Sequence, residues 1–238
     1  MAKQSTRQPK GRKKDSFVRE IKSAAAYHIQ PKNATQNYLL DSIENNTMTV
    51  CVGPAGTGKT YCSGMKAAQL YLKGSYEKII ITRPNVSTGR SLGFFKGSVE
   101  EKMTPWLKPI LNVLEKGLGA GRFECDMRQG RIEIQPLETI RGNSFENCII
   151  ICDESQNLML NEIMAMTTRI GENCKLIMLG DPVQSDINKS TKSDLQTFVD
   201  MCVKHNVPCP VVRFTLDDVV RSDIVKHLLV MFHKEGIN

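Results

Sequence analysis

A glycine-rich segment directly after an apolar run is the feature that most restricts how this 238-residue chain can fold. Residues 53–60 match the pattern G-x-x-x-x-G-K-[ST]. The preceding apolar run, residues 48–52, predicts a buried strand, and the residues after Lys59 predict a helix. In that setting the glycines let backbone N–H groups wrap around phosphate oxygens, which favours a phosphate-binding loop over an ordinary glycine-rich turn.

The last two residues of this segment predict a nucleotide with a bound metal ion. Lys59 is expected to neutralise the β- and γ-phosphates, and Thr60 to offer its hydroxyl to Mg²⁺. A dinucleotide-binding G-x-G-x-x-G loop does not fit, because Gly58 is followed by Lys59 and Thr60 instead of a third glycine. The predicted nucleotide contacts are Gly53, Pro54, Ala55, Gly56, Thr57, Gly58, Lys59 and Thr60.

Two further apolar runs end in polar residues. The run at 148–152 is followed by Asp153 and Glu154, which we interpret as a Mg²⁺ ligand and the group that polarises the attacking water. Without the phosphate-binding segment, such a pair would more often mark only a strand end. The run at 176–179 leads to Gln184, which either senses the γ-phosphate or is a turn residue after Pro182.

Strand and helix patterns alternate along the rest of the chain, and several strands are apolar throughout, which favours a parallel sheet covered on both faces. Strands are expected at 48–52, 78–82, 131–135, 148–152, 175–179 and 211–214, and helices at 16–27, 35–44, 59–72, 99–114, 158–169 and 193–204. A last helix, N-capped by Ser222, is expected to pack on the sheet. Gly117 to Gly121 are expected to form a mobile surface loop.

Charge and composition predict how the chain is divided into domains and where in the cell the protein is found. Residues 1–14 hold six of the seven excess positive charges, and residues 1–15 predict a disordered tail, either solubilising or bound to nucleic-acid phosphates. Residues 16–238 are expected to form one domain. Because no apolar run is long enough to span a bilayer and no secretory signal is visible, we expect a cytoplasmic protein without membrane association, bacterial or phage-encoded.

The eight cysteines are interpreted as mostly buried free thiols, because several lie inside apolar runs and no CxxC pair occurs. A metal site at Cys148 and Cys152 is disfavoured. In a strand these two residues would lie roughly 13 Å apart, at about 3.3 Å per residue.

With these motifs in order, the chain resembles the PhoH family, ATPases similar to the first motor domain of superfamily 1 helicases. The resemblance covers roughly residues 30 to 233 and rests on the segments already described together with six further sites. These are Gln36, residues 82–84, residues 92–94, residues 140–142, Ser155-Gln156 and residues 218–221. It departs at 95–97, where members usually have Leu-Pro-Gly. The resemblance implies a P-loop NTPase with a RecA-like, three-layer α/β/α fold and a mainly parallel sheet.

The resemblance also implies roles for four residues outside the phosphate-binding segment. Gln36 would read adenine, although a solvated helix residue is the alternative. Arg83 and Arg141 are candidates for nucleic-acid or γ-phosphate contacts, or for structural salt bridges. Arg221 is the candidate arginine finger. Because no second motor domain fits after Gln184, Arg221 is expected to act on a neighbour's ATP, in a ring of copies that the resemblance suggests is a hexamer.

The function expected from the sequence is Mg²⁺-dependent ATP hydrolysis coupled to single-stranded RNA or DNA, in a helicase-like or remodelling role. With 6% aromatic residues and no evident exposed rings, binding is expected to depend on phosphate contacts. The alternative is an ATP-dependent switch that binds a protein partner. A nuclease has less support, since no acidic cluster is visible beyond Asp153 and Glu154.

Overall fold

The computed structural model describes residues 29–84, 99–140, 144–184 and 193–235, and a six-stranded sheet runs through these ranges. The strands are β1 (Met48–Val52), β2 (Lys78–Thr82), β3 (Ile132–Ile134), β4 (Cys148–Cys152), β5 (Lys175–Gly180) and β6 (Val211–Arg213). Their order across the sheet is β3-β2-β4-β5-β1-β6, and each pairing is parallel. The predicted parallel sheet is confirmed.

Helices follow the strands in the expected alternation. They are α1 (Ala34–Asn45), α2 (Lys59–Leu72), α3 (Val99–Leu118), α4 (Ala120–Arg128), α5 (Leu137–Ile140), α6 (Leu160–Thr167), α7 (Asp194–Lys204) and α8 (Asp223–Lys234). Two of them begin at side-chain caps, because Asn33 accepts a hydrogen bond from the backbone N–H of Gln36, and Ser193 accepts one from that of Gln196.

The sheet is the middle of three layers. All five residues of β4 are buried, and successive side chains point to opposite faces. Ile149 and Ile151 lie in one core with residues of α1, α2 and α3, whereas Ile150 and Cys152 lie in a second core with residues of α5, α6 and α7. Full burial of each isoleucine stabilises the fold by about 1.5–3 kcal/mol, so β4 anchors both helical layers.

Helix α3 lies close against α2 because a glycine faces it. A Cβ atom at Gly64 would lie 2.8 Å from Ile110 Cδ1 and 2.8 Å from Val113 Cγ1, which is closer than side chains pack. The close approach brings the middle of α3 beside the first turns of α2, where the phosphate-binding segment ends.

Two expectations from the sequence are wrong. Helix α8 does begin after Ser222, but none of its residues is buried, so it does not pack on the sheet. Gly117 to Gly121 do not form a mobile loop, because α3 continues to the fully buried Leu118 and α4 starts directly after Gly119. Gly119 has φ +81°, and this left-handed residue turns the chain from one helix into the next.

Several predictions lie outside the described residues. These are the tail at 1–15, the helix at 16–27, Arg141, and the segments 92–94 and 95–97. All eight cysteines are free thiols, and seven of them are buried. Across the described ranges, no helix is both long and apolar enough to cross a membrane.

Candidate nucleotide-binding site

The strand order brings the predicted site residues to one edge of the sheet. Parallel strands β2, β4, β5 and β1 lie side by side, so their carboxyl ends meet at that edge. Arg83 follows β2, Asp153 follows β4, Asp181 follows β5, and the phosphate-binding loop begins at Gly53 after β1. Backbone hydrogen bonds hold these ends in register, since the Asp153 N–H donates to the Thr82 carbonyl at 3.0 Å.

The loop conformation depends on glycine at its two ends. Gly53 has φ +141°, and a Cβ atom there would lie 2.4 Å from the carbonyl oxygen of Phe214. Gly58 has φ +91°, and a Cβ atom there would lie 2.7 Å from Nε2 of Gln36. Both positions combine a left-handed backbone with close neighbours, which only glycine tolerates.

The Lys59 ammonium lies inside the loop. Its Nζ atom donates to the carbonyl oxygens of Gly53 at 2.6 Å and Pro54 at 2.8 Å. Burial lowers the pKa of Lys59, while the nearby carboxylates Asp181 and Asp153 act in the opposite direction. The positive charge is therefore held where phosphate oxygens would replace the two carbonyls as partners.

Gln36 supports the loop from α1. Its side chain is 3% exposed, Nε2 donates to the carbonyl of Thr57 at 2.9 Å, and Oε1 accepts from the Lys32 N–H at 2.8 Å. The alternative of a solvated helix residue is therefore wrong. Gln36 also lines the cavity described below, and its contact with adenine stays a prediction.

Asp153 is a buried carboxylate with few protein partners. It is 9% exposed, and Oδ1 accepts a hydrogen bond from the Glu154 N–H at 3.1 Å. Burial, and then the charge of Glu154, raises the pKa of Asp153 to about 6. Thr60 lines the same cavity, and a carboxylate with a hydroxyl is a donor set that suits Mg²⁺. These residues fit the implied metal.

Glu154 is held by Gln156, a residue for which no role was predicted. Nε2 of the buried Gln156 donates to Glu154 Oε2 at 2.6 Å, while Gln156 Oε1 accepts from the Asp181 N–H at 3.0 Å. Glu154 itself has φ +54°, which is unusual for a residue with a side chain. Gln156 thus connects the ends of β4 and β5 and orients the Glu154 carboxylate.

A cavity of about 840 Å³ opens between the loop, the carboxyl edge and α3, a size typical of small-molecule sites. Asp153, Glu154, Gln184 and Arg221 line it with the loop, so the structure brings these predicted residues together. Further lining residues were not predicted, and they are Gln30, Lys32, Tyr61, Pro109, Val113, Lys116, Gly180, Asp181 and Val220.

Arg221 lies against its own chain's loop. A Cβ atom at Gly56 would lie 3.1 Å from Arg221 Cγ, and the Val220 N–H donates to the Gly56 carbonyl at 3.0 Å. Arg221 thus lines the cavity of its own chain. Its action on the ATP of a neighbouring chain stays a prediction.

Two of the lining residues that were not predicted contribute to the shape and charge of the cavity. Asp181 is 8% exposed, and burial raises its pKa. Asp181 follows an apolar strand in the sequence, but Gln184 was the residue of this segment for which a functional role was predicted. Lys116 lies over the Tyr61 ring at 5.2 Å from its centroid, which closes the α3 side of the cavity. No sequence motif indicated that contact.

Replacing Asp153 with asparagine is expected to stabilise the metal-free protein. The pKa of the Asp153 carboxyl is near 3.8 in the unfolded chain and about 6 in the folded protein. Protonation of Asp153 therefore stabilises the folded protein, and this contribution is complete below pH 3.8. That contribution is lost as pH rises through 6. At pH 7 in EDTA, we expect D153N to raise the free energy of unfolding by up to about 3 kcal/mol, measured by urea denaturation.

The same measurement at pH 4–5 should show a smaller difference between D153N and the wild type. Asp41→Asn, at an exposed aspartate of α1, is the matched control and should change stability by only a few tenths of a kcal/mol at either pH. A D153N protein that is less stable than wild type at pH 7 would contradict the account of Asp153 burial.

Solved structures share this fold. The large terminase of a thermophilic bacteriophage superposes with a TM-score of 0.56 and 14% identity, over 84% of this chain and 50% of that chain. A second structure of that terminase, in complex with ATP-gamma-S, gives a TM-score of 0.53 over 82% of this chain and 48% of the other. At this identity the likeness shows the α/β fold alone.

Sequence comparison gives the family. A PhoH-like protein of Bacillus subtilis (strain 168) is 36% identical over 90% of this chain and 67% of its own length. Protein PhoH of Escherichia coli (strain K12) is 34% identical over 84% of this chain and 57% of its own length. This chain thus spans about three fifths to two thirds of these relatives. The family model described as PhoH-like protein matches residues 28–233. The chain belongs to the PhoH family.

Proposed function

We propose that the protein is a Mg²⁺-dependent ATPase. The observation that carries the proposal is the convergence of Lys59, Asp153 and Glu154 in one cavity at the carboxyl edge of a parallel sheet. That arrangement supplies a cation for phosphates, a carboxylate for a metal and a second carboxylate for water, the set that phosphoryl transfer requires. The phage terminase, which shares the fold, was solved with ADP and with ATP-gamma-S.

Each residue has a distinct task in the proposed reaction. Lys59 and the loop N–H groups hold the phosphates, and Thr60 and Asp153 would hold Mg²⁺, which neutralises phosphate charge when bound. Glu154 orients and polarises the attacking water. Gln184 senses the γ-phosphate, and Arg221 stabilises the charge that develops on the transferred group.

We further propose that ATP turnover is coupled to single-stranded RNA or DNA. Arg83 lies at the same edge of the sheet as the catalytic carboxylates and has a side chain that is 25% exposed. The basic residues within 1–15 add a second region able to contact phosphates. Since most of this binding is electrostatic, it should weaken steeply with salt.

Steady-state ATPase rates test both proposals. Without polymer, we expect E154Q and Lys59→Ala each to lower the rate about 100-fold or more, because each removes a group that acts on the transition state. Single-stranded RNA or DNA should raise the wild-type rate at low salt and less so at moderate salt. The rate is measured with no polymer, with RNA and with DNA, each at both salt concentrations.

Lys73→Ala is the matched lysine control, because Lys73 ends α2 at the surface and pairs with Glu44. It should leave the rate within about two-fold of wild type. Turnover that ignores every polymer would replace nucleic-acid coupling with the protein-binding switch. Absence of any Mg²⁺-dependent turnover would contradict the ATPase proposal.

We also propose that the protein works as a homo-oligomer through α8. The helix exposes a row of apolar side chains, which are Ile224, Val225, Leu228, Met231 and Phe232. Exposed apolar faces of this kind mark interaction sites, and α8 directly follows Arg221 at the cavity. A contact there would connect neighbouring copies close to their nucleotide sites, as a ring or hexamer requires.

The oligomer should dissociate when its apolar contact is charged. In sedimentation velocity, we expect wild type to sediment as a multimer and Leu228→Glu combined with Phe232→Glu as a monomer, because buried carboxylates are costly. Lys226→Glu, on the opposite side of α8, is the charge-change control and should remain multimeric. A wild-type monomer at every concentration tested would overturn this part of the proposal.

A further inference from the structure

The chain has one tryptophan, and it lies exposed beside the candidate site. Trp106 is in α3, and 45% of its surface is accessible. The sequence alone gave no evident exposed ring suited to stacking on bases, and Trp106 corrects that expectation. Trp106 therefore presents an aromatic surface on which a base could stack.

A guanidinium covers one part of this ring. Cζ of Arg83 lies 5.6 Å from the Trp106 ring centroid, and Arg83 Nη1 donates to the Trp106 carbonyl at 3.2 Å. These contacts tie the end of β2 to α3. They leave the rest of the ring open and place a positive charge next to it.

The same arginine reaches the catalytic carboxylate. Nη1 of Arg83 lies 4.0 Å from Oε1 of Glu154, and the two side chains are 25% and 39% exposed. The other carboxylate oxygen of Glu154 is the one that accepts from Gln156. Gln156 and Arg83 thus contact the Glu154 carboxylate through different oxygens. Of these two residues, Arg83 is the one that also contacts Trp106.

We propose that Trp106 and Arg83 form a docking site for single-stranded nucleic acid, where a base stacks on Trp106 and the adjoining phosphate draws Arg83 from Glu154. This inference rests on the proposed nucleic-acid coupling and names the surface that performs it. A flat aromatic ring beside a guanidinium matches the alternation of bases and phosphates in an unpaired strand. Duplex bases, already stacked, offer no free face to the ring.

The proposed docking site also regulates ATP turnover. While Arg83 faces Glu154, its positive charge attracts the carboxylate that must polarise water. A phosphate bearing negative charge competes for the same guanidinium, with bidentate geometry available. Strand binding therefore releases Glu154, and Arg83 acts as a positioning residue for the reaction.

Because Trp106 is the only tryptophan, its fluorescence reports on the site directly. We expect an unlabelled 12-mer of uridine or thymidine to quench the emission of the wild-type protein in a saturable way. An abasic 12-mer, which has the phosphates without bases, should bind more weakly and leave the emission unchanged. Quenching by both oligomers alike, or by neither while the 12-mer binds, would overturn base stacking on Trp106.

Affinity is measured separately by anisotropy of an end-labelled 12-mer. We expect Trp106→Leu to weaken binding about ten-fold or more, as loss of one base–aromatic stack does. Tyr38→Leu removes another exposed ring, 54% accessible on α1, and should leave the affinity unchanged. Equal affinities of wild type and Trp106→Leu would contradict the docking site.

The regulatory step is tested with Arg83→Gln and Arg83→Lys. With Arg83→Gln, the ATPase rate should be the same with and without the 12-mer, while quenching of Trp106 persists at higher oligomer concentration. Arg83→Lys keeps the charge and should retain part of the stimulation. Stimulation of Arg83→Gln equal to that of wild type would overturn the link from Arg83 to Glu154.

These outcomes separate the inference from the function on which it rests. Binding and stimulation that persist in Trp106→Leu would leave nucleic-acid coupling intact and overturn this docking site alone. Absence of binding and of stimulation in the wild type would overturn both.

Discussion

The position of β4 between β2 and β5 is the constraint on which the rest of the site depends. Because the strands are parallel, this order sets Asp153 between Arg83 on one side and Asp181 on the other. The order persists because the side chains of β4 fill the cores on both faces of the sheet. A shift of β4 by one residue would exchange the two faces and move the carboxylates away from the loop.

Burial of charge is the cost of this arrangement. Lys59, Asp153 and Asp181 all lie largely out of water, and burial moves the pKa of each toward its neutral form. Such groups destabilise the folded chain relative to apolar residues, and the apolar cores offset the loss. In the proposed function, the same desolvation would strengthen the interaction of these groups with phosphate and metal charge.

Much of this could be predicted from the sequence, because the decisive signals are local. Each apolar strand, the glycine pattern and the Asp153–Glu154 pair are contiguous, and parallel strands bring their ends together. The failures concern contacts between distant segments. The apolar face of α8 predicted that this helix packs on the sheet, but none of its residues is buried. A helix pattern alone does not show which surface the apolar face contacts. Gln156 belongs to a motif of the resemblance, but only its hydrogen bonds to Glu154 and Asp181 show its role. Trp106 and Lys116 belong to no motif, so only the packing of α3 beside the carboxyl edge shows their positions.

The proposed function requires that the loop and the carboxyl edge together bind a magnesium nucleotide. The most direct test is calorimetric titration of ATP-gamma-S into the protein, in Mg²⁺ and in EDTA. We expect saturable binding at one site per chain in Mg²⁺, weaker binding in EDTA, and a loss of affinity of about 100-fold or more in Lys59→Ala. Binding that is unchanged by Lys59→Ala, or no saturable binding in Mg²⁺, would contradict the proposed function.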